Sequence, residues 1–224
     1  MEPNIATIGS LVGDQARSKM LIALMGGKAL TATELSLEAD ISAQTASSHL
    51  AKLVESGLLV VRKQGRHRYF QLKGEEVAGL IENMLNISSS LSEESVFTGP
   101  KDKNLRASRI CYDHMAGELS TQLYESLVDK QFIKDNISES TLSEEGRQFF
   151  FDLGADLSEL AGLKRPLCKP CLDWSERKSH LAGSIGKWVL SDVIQRKWAK
   201  RDLNSRALRF SDDGLKAFKK RYGL

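Results

Sequence analysis

The sequence predicts a mainly α-helical chain with short β-hairpin wings, and three observations predict it. Residues 42–56 place Ala46, Leu50, Leu53 and Val54 at helical spacing, with polar residues on the other side. Gly57, an apolar run (LLVV), a basic turn and a second apolar run (YFQL) follow directly, which is the pattern of a two-stranded hairpin. Further on, HMAG at 114–117 and HLAG at 180–183 repeat 66 residues apart, and other landmarks repeat with them. The reading is a winged helix-turn-helix over residues 1–90, a linker over 91–104, and a C-terminal lobe over 105–224 made of two winged-helix-like units.

The elements follow in order. Residues 14–25 (DQARSKMLIALM) spell a helix with Ala16, Met20, Leu21, Leu24 and Met25 on one face, ended by Gly26 and Gly27. Residues 31–39 form a shorter helix with Leu35 inward, Thr33 as its cap and Glu34 in its first turn. Residues 39–41 turn the chain into the next helix, which Ser42 caps. On that helix Gln44, Thr45, Ser48, His49 and Lys52 point outward. These short or amide-bearing groups and the single cation suit base edges and phosphates in a major groove. Gly57 fits the position just past the helix end, where positive φ is cheap only for glycine. Residues 58–61 then read as a buried strand, and Tyr69, Phe70 and Leu72 as its return partner. Arg62, Lys63, Arg66, His67 and Arg68 crowd around the Gln64-Gly65 turn between them. A charge run is often only a solvated face. A polar helix followed at this spacing by a basic turn favours double-stranded DNA as the partner.

Residues 75–91 (EEVAGLIENMLNISSSL) form an amphipathic helix whose inner stripe is Val77, Leu80, Ile81, Met84, Leu85 and Ser88. So apolar a helix after a finished domain calls for a partner surface, in a second copy of the chain or in its own. Residues 88–104 are polar and rich in breakers, which accounts for the linker.

The stretches DQARSKMLIAL, TELSLEADISAQTASSHLAKLVESGLL and VRKQGRHRYFQL resemble the ArsR-type winged helix-turn-helix repressors of bacteria, over about the first 90 residues. The resemblance implies a dimer joined through residues 4–12 and 75–91, and release of DNA on a metal or other chemical signal. Two winged helices on one palindromic site double a small footprint. The chain departs from the family's metal sensors, since TELSLEAD holds no cysteine pair and EEVAGLIENMLNI no histidine. Arsenic, zinc or nickel sensing therefore does not follow from the resemblance, and the sensor is expected in the C-terminal lobe. RICYDHMAG and CLDWSERKSHLAG in that lobe resemble stretches of longer regulators of this type.

The chain has 224 residues, 41% of them hydrophobic and 27% charged, which is ordinary for a globular protein with two small domains. No run approaches the ~18 apolar residues of a membrane span. The first residues, MEPNIATIGSL, lack the cationic start and apolar core of a secretory signal, so a cytoplasmic location is expected. The net charge of +3 is unevenly spread. Residues 1–92 hold nine basic and nine acidic side chains, so any DNA affinity rests on local placement at the wing. Residues 196–224 hold ten basic and three acidic groups, whereas 138–160 hold six acids and one arginine. This contrast would help two repeated units pair, although exposed ion pairs contribute little.

In the repeat, Phe132 matches Trp198 at the offset of 66, and LSEEGRQFF from 142 matches FSDDGLKAF from 210. Each copy reads as helix, helix, short strand, an S-acid-acid-Gly turn, and helix. The lobe also carries the candidate sensing groups. Cys168 and Cys171 form a C-x2-C, and Cys111 precedes His114 by three residues, a spacing that shares a face on a helix. His180 is the repeat-mate of His114. Three chemistries fit. The cysteines with a histidine suit a tetrahedral zinc site. Arg165, Lys169 and Arg177 would depress thiol pKa values and make a redox sensor. His114, Trp174, His180 and Trp188 would line a cleft for a small organic effector between the repeats. Beside these stands a structural role, with cysteines packed as small hydrophobes and each histidine bonded to a backbone carbonyl.

No P-loop, dinucleotide-binding glycine motif, nucleophile elbow or H-E-x-x-H is present, and a Cys111–histidine nucleophile pair has no orienting third group in the sequence. A non-enzymatic protein is expected. The combined reading is a homodimeric transcriptional repressor, released by a signal in the C-terminal lobe. A protein-interaction adaptor or a constitutive architectural DNA binder would use the same winged helix.

Overall fold

A computed structural model describes residues 5–65, 67–91, 100, 102–136, 139–202 and 204–224 of the chain. The chain divides into two compact units, Met1–Met84 and Leu85–Leu224. The boundary falls inside the helix Glu75–Leu91 rather than at residue 90. No helix among the described residues is long and apolar enough to cross a membrane.

The first unit runs α1 (Ile5–Val12), α2 (Gln15–Leu24), β1 (Leu30–Thr31), α3 (Ala32–Ala39), α4 (Ala43–Glu55), β2 (Leu59–Gln64) and β3 (His67–Leu72), and leads into α5 (Glu75–Leu91). Its core joins Met20, Leu21 and Leu24 of α2 to Leu35 of α3, to Ala46, Leu50 and Leu53 of α4, and to Phe70 of β3. The Ser42 cap forms as expected, its side chain accepting from the Thr45 N–H. The cap of α3 is Thr31, not Thr33. Thr31 is extended, its hydroxyl accepts from the Glu34 N–H, and the Glu34 carboxylate accepts from the Thr31 N–H at 2.7 Å. Only a cap three residues before Glu34 lets the two side chains exchange bonds this way.

The three strands form one antiparallel sheet in the order β1-β3-β2, with Leu30 opposite Phe70 and Leu59 opposite Leu72. The strand expected over 58–61 begins at Leu59 and continues to Gln64. Leu58 and Leu59 are buried, but Val60 is 37% exposed, because β2 is an edge strand covered on one face only. Gln64 ends β2 opposite His67, and Gly65 turns the chain at φ +59°. Arg66 lies outside the described residues, as do most of the expected linker and residue 4 of the expected dimer surface. Helix α6 starts at Lys103, within the last residues of the expected linker. On α5, Ala78 and Ile81 of the unit-one part are buried, whereas Met84 and Ile87 are exposed.

The second unit continues with α6 (Lys103–Ala107), β4 (Arg109–Cys111), β5 (His114–Ala116), α7 (Glu118–Asp129), β6 (Ile133–Asp135), β7 (Ser140–Leu142) and α8 (Glu144–Asp152). It then runs α9 (Leu157–Ala161), β8 (Lys169–Leu172), β9 (Ser179–Ala182), α10 (Gly183–Gln195), β10 (Ala199–Arg201), β11 (Leu208–Phe210) and α11 (Asp212–Tyr222). The order hairpin, helix, hairpin, helix thus occurs twice. This corrects the expected order, in which each copy began with a helix carrying the H-x-A-G motif. That motif is the return strand of a hairpin, followed by a glycine at positive φ (Gly117 +91°, Gly183 +82°) that opens the long helix. The strands are three or four residues long and β4 and β5 are buried on both faces, so no alternation marks them in the sequence.

The S-acid-acid-Gly turn has a packing reason. Ser143 and Ser211 cap α8 and α11, their hydroxyls accepting from the N–H of Gly146 and Gly214. A Cβ on Gly146 would sit 2.1 Å from the Phe132 carbonyl oxygen, and one on Gly214 would sit 2.2 Å from that of Trp198. Only glycine allows a backbone approach this close, and it ties the repeated aromatic to the repeated turn. One core runs through both copies and includes Leu123, Leu127, Phe150, Ile185, Val189 and Phe218. The basic end of α11 does not pair with the acids of 138–160 in the way its charge suggests. Arg221 donates to the Leu153 carbonyl, and Lys130 donates to the carbonyls of Tyr222 and Gly223, so cations meet helix C-termini.

Candidate functional site

Two groups of functional side chains stand out, one in each unit. In the first, Gln44, Thr45, Ser48 and Lys52 are exposed along α4, and Arg62, Lys63, His67 and Arg68 are exposed on the β2–β3 hairpin. The hairpin register sets Arg62 opposite Tyr69 and Lys63 opposite Arg68. The Arg68 guanidinium lies 5.6 Å from the centre of the Phe70 ring, which steadies a long side chain at an exposed edge. The face joins amide, hydroxyl and cationic donors on a rigid helix to a cationic hairpin.

His49 departs from the expected outward set. It is half-buried, and its Nδ1 lies 2.9 Å from Nη1 of Arg17. Arg17 also donates to the carbonyls of Leu11 at 2.7 Å and Ser10 at 2.8 Å. Arg17 and His49 therefore tie α4 to α2 and to the end of α1. Arg17 sits one turn before Met20 and Leu21 on the inward face of its helix, and that lone inward cation is the signal in the sequence that could have found it.

In the second unit, four of the candidate groups converge. One ligand atom from each of Cys111, His114, Cys171 and His180 lies within 4.8 Å of all the others. His114 Nε2 and His180 Nε2 face each other at 3.1 Å. Cys111 is 3%, His114 6% and His180 0% exposed, and Cys171 is half-buried. The hairpins produce this meeting. Cys111 is the cross-strand partner of His114 in β4–β5, and Cys171 is the cross-strand partner of His180 in β8–β9. Each hairpin thus delivers one sulfur and one imidazole. The expectation that Cys111 and His114 share a helix face is overturned. Tyr112 and Asp113 form a tight turn, with Tyr112 at φ 60°, and place the two residues side by side on neighbouring strands.

The far side of each imidazole meets a carboxylate. His114 Nδ1 is 3.3 Å from Asp113, and Arg165 binds Asp113 through both terminal nitrogens, at 2.5 and 3.4 Å. His180 Nδ1 is 3.5 Å from Asp173. Asp173 accepts from Arg109 at 2.6 Å, from the Gly117 N–H at 2.7 Å and from Ser175 at 2.8 Å. Arg109 and Asp173 are 1% and 0% exposed. Burial opposes the Asp113 charge, but His114 and Arg165 outweigh it and lower its pKa to about 2. Burial likewise opposes the charge of Asp173, and Arg109, His180 and the Gly117 N–H hold it far below the usual carboxylate range. The Cys111 thiol is pushed far up by its hydrogen bond with Cys171 and by burial. Burial works against a charge on His114, but the Cys111 sulfur and the Asp113 carboxylate outweigh it and raise its pKa to about 9.

The remaining candidates lie elsewhere. Cys168, three residues from Cys171, is buried in the hydrophobic core, where burial pushes its thiol up to about 12. Cys168 sits in the bend before β8 and lies outside the four-donor group, so the C-x2-C does not act as a unit here. The cations expected to depress thiol pKa values do not do so for Cys111 or Cys168, and Arg165 is engaged by Asp113. Trp174 stacks under Arg109, with the guanidinium 5.0 Å from its ring, and Trp188 packs edge-on against Phe150. A pocket of about 380 Å3 lies elsewhere in the lobe, among Ser108, Glu118, Gln122, Leu208, Arg209 and Lys219. Asp113, Arg165, Arg109 and Asp173 carry the cluster as supports. The C-Y-D-H and C-L-D-W stretches hold both aspartates beside a cysteine, a signal the sequence reading did not use.

The fold and the exposed face define the class of winged helix-turn-helix proteins. A family of helix-turn-helix domains matches residues 12–62. The chain is 39% identical over 220 residues to YdfF of Bacillus subtilis (strain 168), described as an uncharacterized HTH-type transcriptional regulator, covering 98% of this chain and 97% of that protein. The chain belongs to the family of HTH-type transcriptional regulators, and the ArsR-type resemblance of its first 90 residues agrees with that. Solved structures with partial likeness include reduced HlyU from Vibrio cholerae N16961, at 26% identity and TM-score 0.34 over 37% of this chain and 86% of that one. Another is a homodimeric winged helix-turn-helix fragment of Mb0332 from Mycobacterium bovis, described as a possible ArsR-family regulator, at 21% identity and TM-score 0.36 over 41% and 87%.

Proposed function

We propose that this regulator is a homodimeric repressor. Helix α4 enters the major groove of a double-stranded operator, the β2–β3 wing grips the phosphates, and the C-terminal lobe receives the releasing signal. The observation that carries the reading is the joint exposure of Gln44, Thr45, Ser48 and Lys52 on α4 with Arg62, Lys63 and Arg68 on the wing. In a domain of balanced charge, these are the groups able to read base edges and neutralise phosphates. Dimerisation is supported by apolar side chains left exposed on the two helices that flank the domain, Ile5 at 88% on α1 with Met84 at 40% and Ile87 at 58% on α5. Release requires only that the signal favour the DNA-free form by about 1–3 kcal/mol.

The test is a gel shift of the full chain on its own promoter region across a salt series. The expected result is a shift by a dimer that Arg62→Ala with Arg68→Ala weakens on every sequence, with a shallower salt dependence. Unchanged binding by that double variant removes the wing from the interface. No shift at low salt by a folded dimer favours a protein-interaction adaptor instead.

A further inference from the structure

We propose that Cys111, His114, Cys171 and His180 hold one zinc ion in a closed tetrahedral site that joins hairpin β4–β5 to hairpin β8–β9. The site stands on the C-terminal lobe alone and does not depend on the DNA-contact assignment.

The donor set is the first argument. Two sulfurs and two imidazole nitrogens are what a tetrahedral zinc site uses, with arms of about 2.3 Å to sulfur and about 2.0–2.1 Å to nitrogen. Such arms give ligand-to-ligand edges of about 3.3–3.8 Å. The four donors already lie within 4.8 Å of one another, and the two Nε2 atoms are 3.1 Å apart, so shifts of a few tenths of an ångström at the histidines and a modest approach of the remaining donors close the shell. A two-iron cluster with the same residue types puts the cysteines on one iron and the histidines on the other. The mutual closeness of all four donors fits a single ion instead.

The second argument is the outer shell. A metal-bound imidazole is oriented by a carboxylate on its other nitrogen. Both histidines turn Nε2 into the cluster and Nδ1 toward an aspartate, Asp113 for one and Asp173 for the other. Each aspartate is itself fixed by an arginine, Arg165 or Arg109. Packing alone gives no reason for a His–Asp–Arg chain to be built twice around two facing imidazoles.

The third argument is how the repeat makes the site. Cys171 follows Cys111 by 60 residues and His180 follows His114 by 66, because the second hairpin has a longer loop, yet both hairpins set a cysteine opposite a histidine. Neither copy has four ligands, and the pair does. Binding converts two thiols to thiolates and releases their protons, and any proton on Nε2 leaves with them. Two thiolates balance the charge of Zn2+, so the buried site gains no net charge. Four protein ligands leave no open position for a substrate, which makes the ion a fastener between the hairpins.

The experiment uses the full chain, purified reduced, without a polyhistidine tag and without chelator. Elemental analysis is expected to find one zinc per chain. After removal with EDTA, Zn2+ titration should saturate at one equivalent, and Co2+ should give the intense sulfur-to-cobalt charge-transfer and ligand-field bands of a tetrahedral thiolate site. Cys111→Ser with Cys171→Ser should lose essentially all metal, whereas Cys168→Ser should keep it. If the double variant does not fold, the wild-type apo titration still decides. Reduced wild-type chain that takes up neither Zn2+ nor Co2+ overturns the proposal, as does bound iron with inorganic sulfide, or loss of the metal on Cys168→Ser. A gel shift on the same preparations separates the two readings. A chain that binds DNA but no zinc refutes this site alone, and one that binds zinc but no DNA refutes the DNA reading alone.

Discussion

In the first unit the polar groups with chemistry to offer, Gln44, Thr45, Ser48, Lys52, Arg62, Lys63 and Arg68, are exposed on a helix and a hairpin. In the second unit the corresponding groups, Arg109, His114, Asp173 and His180, are almost wholly buried and bonded to one another. Exposed groups of this kind contribute little to stability and are available to a partner. Buried ones must satisfy each other, and removing one leaves the rest uncompensated. The two units therefore divide the labour: the outward face of one suits recognition, and the inward cluster of the other suits holding or changing a shape.

That contrast can be broken or sharpened by four substitutions. The largest effect is expected from Asp173→Ala, which strands the buried Arg109 guanidinium and should cost about 3–5 kcal/mol of lobe stability in urea unfolding. A loss below about 1 kcal/mol would mean that the cluster is better solvated than its burial implies. Next comes Gly214→Ala, whose new methyl would meet the Trp198 carbonyl oxygen at 2.2 Å. Relief of that overlap should cost about 1–3 kcal/mol, read as a lowered melting temperature with DNA binding by the first unit unchanged. Thr31→Ala removes half of the α3 capping box and should cost about 1 kcal/mol, confined to the first unit in hydrogen exchange. The smallest effect on stability is expected from Lys63→Ala, within about 0.5 kcal/mol of the parent. The same variant should lower the salt slope of DNA binding by about 1, and a change in unfolding midpoint without a change in slope would reverse the division of labour drawn above.

The first unit was readable because its signals are local and periodic. Ser42, the Ala46-Leu50-Leu53 stripe and Gly57 each mark an α4 boundary or face within a few residues, and the structure places them as expected. Its misreadings came from choices between near equivalents, such as Thr31 against Thr33, and from His49, whose partner Arg17 lies 32 residues away. In the lobe the repeat was visible as HMAG and HLAG, but the strands were not. Three buried residues show no alternation, and a three-residue spacing such as Cys111–His114 fits a helix face as well as a hairpin end. The C-x2-C suggests that Cys168 and Cys171 act together, whereas the bend before β8 leaves Cys168 in the hydrophobic core and only Cys171 joins the cluster.

By itself the sequence determined the class of the chain. Its apolar periods, caps and turn glycines set the helices and the wing of the first unit, because each of those signals acts over one or two turns of chain. Only the tertiary structure decided which cysteines and histidines meet. Cross-strand register places Cys111 beside His114 and Cys171 beside His180, and packing of one hairpin against the other brings together cysteines 60 and histidines 66 residues apart. Register and packing depend on contacts distant in sequence, and no local pattern encodes them.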